Sequence, residues 1–251
     1  MYKRIIAAII VKDGIAVQSF GYRNYQPLGD PITLAQNYAR WGADEIVLLD
    51  ISSTRASTQP KLDLISCISE VTAGTPLIYG GGIQDIEQVG SVISAGADRL
   101  ILDDCLLSNP NNIEKISKFI GRQALIAAIP IKVNGKFPGW YSYKKDQFVS
   151  SSQQISFFEN DVHNFSELLI IDVDGEGKPG AFNDTYIQFY RHNLKMIIFG
   201  GLPLTSEINE LVGNPRVSAI CFGNPLCYQE HTISRLRSKI NPELIRSYKL
   251  L

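Results

Sequence analysis

Eight short runs of apolar, largely β-branched residues alternate with stretches of helical periodicity along the whole chain. The runs cover 4–10, 45–50, 76–80, 99–103, 124–129, 167–172, 195–200 and 217–223. Eight such strand–helix units in 251 residues are typical of a (β/α)₈ barrel, an α/β fold, built as one domain over 1–251. A doubly wound open sheet is the alternative.

The two halves of the chain resemble each other. The segment RIIAAII resembles ALIAAIP about 120 residues later, and GADEIVLLDIS resembles NFSELLIIDVD about 122 residues later. This repeat predicts two half-barrels, over about 1–120 and 121–251. It also makes Ile10 and Pro130 equivalent positions at the C-terminal ends of odd-numbered strands, where barrel enzymes carry their catalytic residues. Neither residue can transfer a proton.

Charge and composition exclude several function classes. The chain has 24 basic and 25 acidic residues, a formal charge of −1, so it lacks the positive face that nucleic-acid binding requires. No apolar stretch is long enough to span a membrane and no signal peptide is evident, so we expect a cytoplasmic protein. Neither the cysteines nor the histidines form a ligand pattern, so we expect no metal and no cofactor. These residues are Cys67, Cys105, Cys221, Cys227, His163, His192 and His231.

Several motifs carry a specific resemblance: RII…VKDG, GDP, GADEIVLLDIS, YGGGI and AGAD. Over nearly its full length the chain resembles the cyclase subunit family of imidazole glycerol phosphate synthase. The resemblance implies a (β/α)₈ barrel with a phosphate-binding turn in each half. It also implies a glutaminase subunit docked at the barrel's bottom as a heterodimer. Ammonia from that subunit would cross the barrel and react at the top with a bisphosphorylated ribulosyl substrate.

The resemblance fails at the catalytic positions. The family's two catalytic aspartates correspond to Ile10 and Pro130, and a family lysine corresponds to Gln18. Losing each proton-transfer group should lower the rate by roughly 10²–10⁴. Acids that end other strands on this face are fallback catalytic candidates, although such acids commonly cap the following helices. They are Asp50, Asp103, Asp172 and Asp174.

The phosphate sites give a mixed signal. Glycines that could bring backbone N–H groups close to an anion follow two strands. They are Gly81, Gly82, Gly200 and Gly201. However, Asp103 and Asp104 stand where the family presents neutral polar groups to phosphate. Each carboxylate would oppose a phosphate charge by about 4 kcal/mol at ~4 Å and an effective dielectric of 20. The pair could instead hold a metal or a sugar hydroxyl, or cap a helix.

At the opposite, N-terminal ends of the strands, the charged residues match those of the family in sign. In the family, residues matching Arg4, Glu45, Arg99 and Glu167 form a charged gate across the barrel's bottom, and the acid matching Asp98 faces the glutaminase. Two positive and two negative charges form a compensated set of the kind that tolerates burial. The alternative is that these residues only seal the barrel.

Strand periodicity predicts what lies above that gate. If Arg4 points inward, so does Ala8, and on the fifth strand Ala124 and Ala128 do the same. These small residues predict a narrow, apolar and lightly filled axis. Neutral ammonia can cross such a space, whereas ammonium cannot do so without a large desolvation cost.

Three hypotheses follow. The favoured one is an ammonia-channelling subunit of a glutamine-dependent amidotransferase complex that serves amidination of a nucleotide-linked or surface-polysaccharide sugar. The top of the barrel would then dock a third protein or bind that protein's substrate, with Tyr22, Tyr25 and Gln26 as predicted contacts. The second is a true cyclase/lyase of histidine biosynthesis that uses displaced acids. The third is a docking scaffold without a conduit.

Overall fold

Eight parallel strands close into a barrel in the computed structural model, which describes residues 2–56, 58–72, 74–135, 137–190 and 192–247. Each strand pairs with the next, and the last pairs with the first. The barrel strands are β1 (Arg4–Lys12), β4 (Glu45–Asp50), β5 (Leu77–Gly80), β6 (Arg99–Leu102), β7 (Leu125–Asn134), β10 (Glu167–Asp172), β11 (Lys195–Phe199) and β12 (Val217–Phe222). The (β/α)₈ prediction is confirmed.

Two antiparallel extensions, absent from the sequence-based prediction, lie at the C-terminal ends of the first and fifth barrel strands. β2 (Ile15–Phe20) folds back on β1 and pairs with β3 (Asn24–Gly29). β8 (Phe137–Ser142) folds back on β7 and pairs with β9 (Gln147–Phe148). The first turn is Asp13-Gly14, and both residues have the positive φ that a two-residue hairpin turn requires.

Helices cover the outside of the barrel. They are α1 (Pro31–Arg40), α2 (Ile51–Ala56), α3 (Leu62–Val71), α4 (Ile86–Ser94), α5 (Cys105–Ser108), α6 (Ile113–Ile120), α7 (Ser151–Ser156), α8 (Thr185–Phe189), α9 (Ile208–Gly213) and α10 (Thr232–Lys239). Asp30 caps α1 by accepting from the N–H groups of Ile32 and Thr33. Across the described ranges, no helix is both long and apolar enough to cross a bilayer.

Side chains alternate along each barrel strand between the interior and the helix-facing layer. Ile6, Ala8 and Ile10 belong to the interior cluster, whereas Ile5 and Ile9 pack against the helices. The parity predicted for β1 is therefore confirmed.

The predicted emptiness of the axis is wrong in one respect. Ala124 ends a 3₁₀ turn, Arg122–Ala124, and β7 begins only at Leu125, so Ala124 is not an inward strand residue. Ala8 and Ala128 do face inward, but fully buried isoleucines share that section, so the axis is packed. The isoleucines are Ile6, Ile78, Ile126 and Ile197.

Candidate functional sites at the two ends of the barrel

The four predicted gate charges meet in one ion-pair network at the N-terminal ends of the strands. Arg4 Nη2 and Arg99 Nη2 each lie 2.7 Å from an oxygen of Glu167. Glu45 is held more loosely, 3.4 Å from Arg4 Nε and 3.8 Å from Arg99 Nη1. The side chains are only 9–15% exposed. We call this set, Arg4, Glu45, Arg99 and Glu167, the charged ring.

The two acids of the charged ring are not equivalent. Burial opposes ionisation of Glu167, but attraction from Arg4 and Arg99 and a hydrogen bond from Ser218 outweigh it and lower the pKa of Glu167. At Glu45 burial outweighs the attraction of the two arginines, so its pKa is raised. Glu45 Oε2 also has no hydrogen-bond partner. Glu167 is therefore the anchor of the ring.

Asp98 lies at the same end of the barrel, directly before β6. Asp98 is exposed, and its carboxylate accepts a 2.8 Å hydrogen bond from the backbone N–H of Leu77. The position is compatible with a protein interface beside the charged ring.

A cavity of about 680 Å³, including space open to solvent, lies at the C-terminal ends of the strands. We call it the mouth cavity. It is bordered by residues from both halves of the chain, among them Leu49, Gly81, Asp103, Ala128, Tyr143 and Ile171.

The two equivalent positions at the strand ends carry no acid. Ile10 is 3% exposed and pairs with Val17 of the hairpin, and Pro130 pairs in register with Ile171. The side chains that fill these places are apolar. Proton transfer at the barrel mouth would therefore need another residue.

Two of the fallback acids are fully engaged in holding loops. Asp50 accepts from the N–H groups of Ser52 and Ser53 and from the Ser53 hydroxyl, and it lies 3.5 Å from Lys61 Nζ. Asp172 accepts from Gly175 N and Asn183 N at 2.8 and 2.9 Å. Burial raises the pKa of Asp172, although these two hydrogen bonds oppose the shift.

The other two fallback acids differ in their surroundings. Asp174 is exposed and accepts a 3.0 Å hydrogen bond from Val133 N, so it tethers its loop to the end of β7. Asp103 borders the mouth cavity. Burial, and then the neighbouring Asp104 charge, raise the pKa of Asp103 to about 7, while Lys144 acts in the opposite direction. Of the four, Asp103 is the acid best placed to meet a ligand.

Two tyrosines from the two extensions meet over the barrel axis. The rings of Tyr22 and Tyr143 have centroids 4.6 Å apart. Both hydroxyls are buried and have no hydrogen-bond partner. Tyr22 is only 3% exposed and borders the mouth cavity, so of its two predicted roles the position suits contact with a bound substrate better than contact with a docked protein. It lies inward because the hairpin folds over the mouth.

The remaining predicted top-face contacts lie further out. Tyr25 is half-buried, and its hydroxyl donates to the Tyr22 carbonyl at 2.5 Å. Gln26 is exposed and pairs with Gln18 across the hairpin. These two residues are accessible to a partner.

Asp104 is tied to its neighbours through one oxygen only. Its Oδ2 accepts from Lys144 Nζ at 2.6 Å and Gln84 Nε2 at 3.0 Å. Its Oδ1 is buried without a partner. Sequence reasoning missed Lys144, which follows β8.

The predicted anion-binding glycines have a local reason to be glycine. A Cβ on Gly81 would lie 2.7 Å from the Asp50 carbonyl oxygen, and one on Gly200 would lie 2.4 Å from the Asp172 carbonyl oxygen. Gly82 and Gly201 have positive φ and equally close backbone neighbours. The same contact thus recurs in both halves, and it requires glycine whether or not an anion binds.

A second, smaller cavity of about 300 Å³ lies beside Gly200 and Gly201 and is bordered by Glu176. Burial raises the pKa of Glu176 to about 7, opposed by hydrogen bonds from Ser19 and from backbone N–H groups. Glu176 pins β2 to the barrel, and so does Asn224 through Ser19. Sequence reasoning missed both residues, because single polar residues in a glycine-rich loop form no recognisable pattern.

The fold and the site define a class. A closed parallel barrel with a cavity at the C-terminal ends of its strands is a (β/α)₈ barrel with its candidate site on the face where such barrels carry function. In the part of the chain that the structure describes, no group of three His, Cys, Asp or Glu residues could hold a metal ion.

Comparison with known proteins gives the family. A family described as "Histidine biosynthesis protein" matches residues 4–232, and the chain belongs to it. Imidazole glycerol phosphate synthase subunit HisF from Exiguobacterium sibiricum is 35% identical over 213 residues, 84% of this chain and 85% of that protein. HisF from Elusimicrobium minutum is 33% identical over 241 residues, 94% and 95% of the two chains. HisF from Flavobacterium psychrophilum is 31% identical over 251 residues, 97% and 98%.

Proposed function

We propose that this barrel is the ammonia-conducting subunit of a cytoplasmic glutamine-dependent amidotransferase complex. A glutaminase subunit docks at the N-terminal end of the barrel, against the charged ring and Asp98. Ammonia enters through the ring and leaves at the mouth cavity. The observation that carries the proposal is the ring itself, with Arg4 and Arg99 each 2.7 Å from Glu167.

The charged ring costs desolvation energy, so a purely structural role explains it poorly. Buried ion pairs are often no more stabilising than apolar residues of similar volume. An apolar plug would seal the barrel at least as well. A polar ring, by contrast, can accept and donate hydrogen bonds to ammonia at the entrance, before ammonia meets the apolar interior around Ala8 and Ala128.

The chemistry at the other end supports delivery of ammonia to another acceptor. Ile10 and Pro130 cannot act as acid or base, and each missing group lowers the rate of a proton-transfer reaction roughly 10²–10⁴-fold. We propose that the acceptor is a nucleotide-linked or surface-polysaccharide sugar that becomes amidinated. A third protein would dock on the two extensions, with Tyr25 and Gln26 as exposed contacts.

One observation favours a second candidate, a cyclase/lyase with a displaced acid. Asp103 borders the mouth cavity and has a pKa of about 7, suitable for a general acid or base near neutral pH. Turnover of the bisphosphorylated ribulosyl substrate with ammonium salt, abolished by Asp103→Asn, would establish this candidate.

The experiment that tests the main proposal uses the purified barrel and a glutaminase subunit from the same organism. We expect the two to co-purify and the barrel to raise glutamine hydrolysis at least tenfold. With the third protein and acceptor added, Glu167→Gln should keep most of that hydrolysis while lowering the aminated product per glutamate formed. Glu114→Gln, an exposed ion pair with Lys118, is the matched control and should change neither quantity. Failure of the barrel to bind or stimulate the glutaminase would refute the proposal.

A further inference from the structure

The mouth cavity contains more unpartnered polar atoms than its packing explains. Tyr22 Oη, Tyr143 Oη and Asp104 Oδ1 are each buried with no hydrogen-bond partner. All three residues border the same cavity, as does Asp103. Buried polar groups are normally satisfied, so a convergent unsatisfied set is typical of a site that a ligand completes.

The charges around this cavity disfavour a phosphorylated ligand. The carboxylates of Asp50, Asp103 and Asp104 border it, against the guanidinium of Arg55, which donates to the uncharged Tyr22 carbonyl at 2.6 Å. Lys144 lies 2.6 Å from Asp104 and is paired with it. Among the described residues, no cationic side chain forms an ion pair with the Asp103 carboxylate. A phosphate offers only acceptor oxygens and negative charge, and both would face carboxylates here.

The chemical complement of the site is a group of hydrogen-bond donors without net negative charge. Carboxylate oxygens of Asp103 and Asp104 accept, and tyrosine hydroxyls can either donate or accept. Neighbouring hydroxyls of a sugar ring provide such donors and acceptors, and Ala128 and Ile171 give its C–H face an apolar wall. The cavity is partly open to solvent, so a ligand can reach it from outside the barrel.

We propose that the mouth cavity binds the uncharged, hydroxyl-rich ring of a sugar and does not itself bind a phosphate group. Ring hydroxyls donate to Asp103 and to the free oxygen of Asp104, and the Tyr22 and Tyr143 hydroxyls complete the set. The identity of this ring as part of the ammonia acceptor rests on the proposed function; its binding to the barrel does not.

Saturation-transfer NMR on the isolated barrel tests the proposal. The probes are D-glucose, D-galactose and N-acetyl-D-glucosamine, with D-ribose 5-phosphate as the phosphorylated comparison. We expect transfer to at least one neutral sugar, and weaker or no transfer to ribose 5-phosphate. Tyr143→Phe and Asp103→Asn should each weaken neutral-sugar binding about tenfold, which is the scale of one well-placed hydrogen bond.

Matched controls separate the site from the rest of the surface. Tyr228→Phe changes an exposed tyrosine and Asp63→Asn an exposed acid outside the cavity, and both should bind as the unmodified protein does. Binding to none of the neutral sugars, tighter binding of ribose 5-phosphate, or unchanged binding in folded Tyr143→Phe would each overturn the proposal. Since no glutaminase is present, these outcomes are independent of the ammonia-conducting function.

Discussion

Glu167→Gln is the perturbation whose magnitude the structure defines best. The carboxylate oxygens of Glu167 lie 2.7 Å from Nη2 of Arg4 and 2.7 Å from Nη2 of Arg99, and one of them also accepts a hydrogen bond from the Ser218 hydroxyl. A glutamine in its place keeps one acceptor oxygen but turns an NH₂ group toward the second arginine. The variant therefore leaves two buried cations facing the single charge of Glu45.

The expected cost is about 3–5 kcal/mol in the free energy of unfolding, the scale for breaking a buried pair by removing one partner. Glu45→Gln should cost less than about 2 kcal/mol. Its contacts are 3.4 and 3.8 Å, and its raised pKa shows that burial already outweighs the attraction of the arginines.

Urea unfolding at pH 7, followed by circular dichroism, measures both values. Glu114→Gln removes a fully exposed pair with Lys118 and should leave the midpoint unchanged. Equal costs for Glu167→Gln and Glu45→Gln, or no cost for either, would show that the charged ring is not organised around Glu167.

Three further predictions concern the barrel mouth. The pKa of Asp103 is raised to about 7, so the folded state holds this proton more tightly than the unfolded state, and the group lowers stability as pH rises from about 4 to 7. Asp103→Asn should remove that decline. In urea unfolding the variant should gain up to about 4 kcal/mol at pH 8 and little at pH 4. Tyr143→Phe removes a buried hydroxyl without a partner and should leave the melting temperature unchanged or raise it, so a fall of several degrees would contradict the unpaired state. Gly200→Ala should lower the free energy of unfolding by at least about 2 kcal/mol, because φ of Gly200 is +101° and the new Cβ would lie 2.4 Å from the Asp172 carbonyl oxygen. Gly213 has open space around it, so the control Gly213→Ala should be neutral or stabilising.

The barrel strands could be predicted from sequence because their signal is local. β4 and β10 begin and end where the apolar runs do, and β1 extends two residues further. The inward parity of Ile6, Ala8 and Ile10 followed from the two-residue period of a strand. Ala124 was misplaced because the turn that begins at Gly121 belongs to the loop before β7.

The charged ring was implied by the family resemblance, and its four residues do meet at one end of the barrel. The arrangement of the barrel mouth could not be predicted from the sequence. The only sequence signals for its two extensions are the turn pair Asp13-Gly14 and Gly135, which follows the last paired residue of β7, Asn134. The meeting of Tyr22 with Tyr143, about 120 residues apart in sequence, depends on how two hairpins cross in space. No residue spacing encodes that contact.

The most direct measurement gives the barrel, with its glutaminase, both glutamine and the bisphosphorylated ribulosyl substrate, and follows glutamate and imidazole glycerol phosphate together. An intact entrance and a lost acid–base pair predict stimulated glutamate release with no detectable imidazole product. Product formed in step with glutamate would contradict the account, because it would show that cyclase chemistry survives without an acid at Ile10 or Pro130.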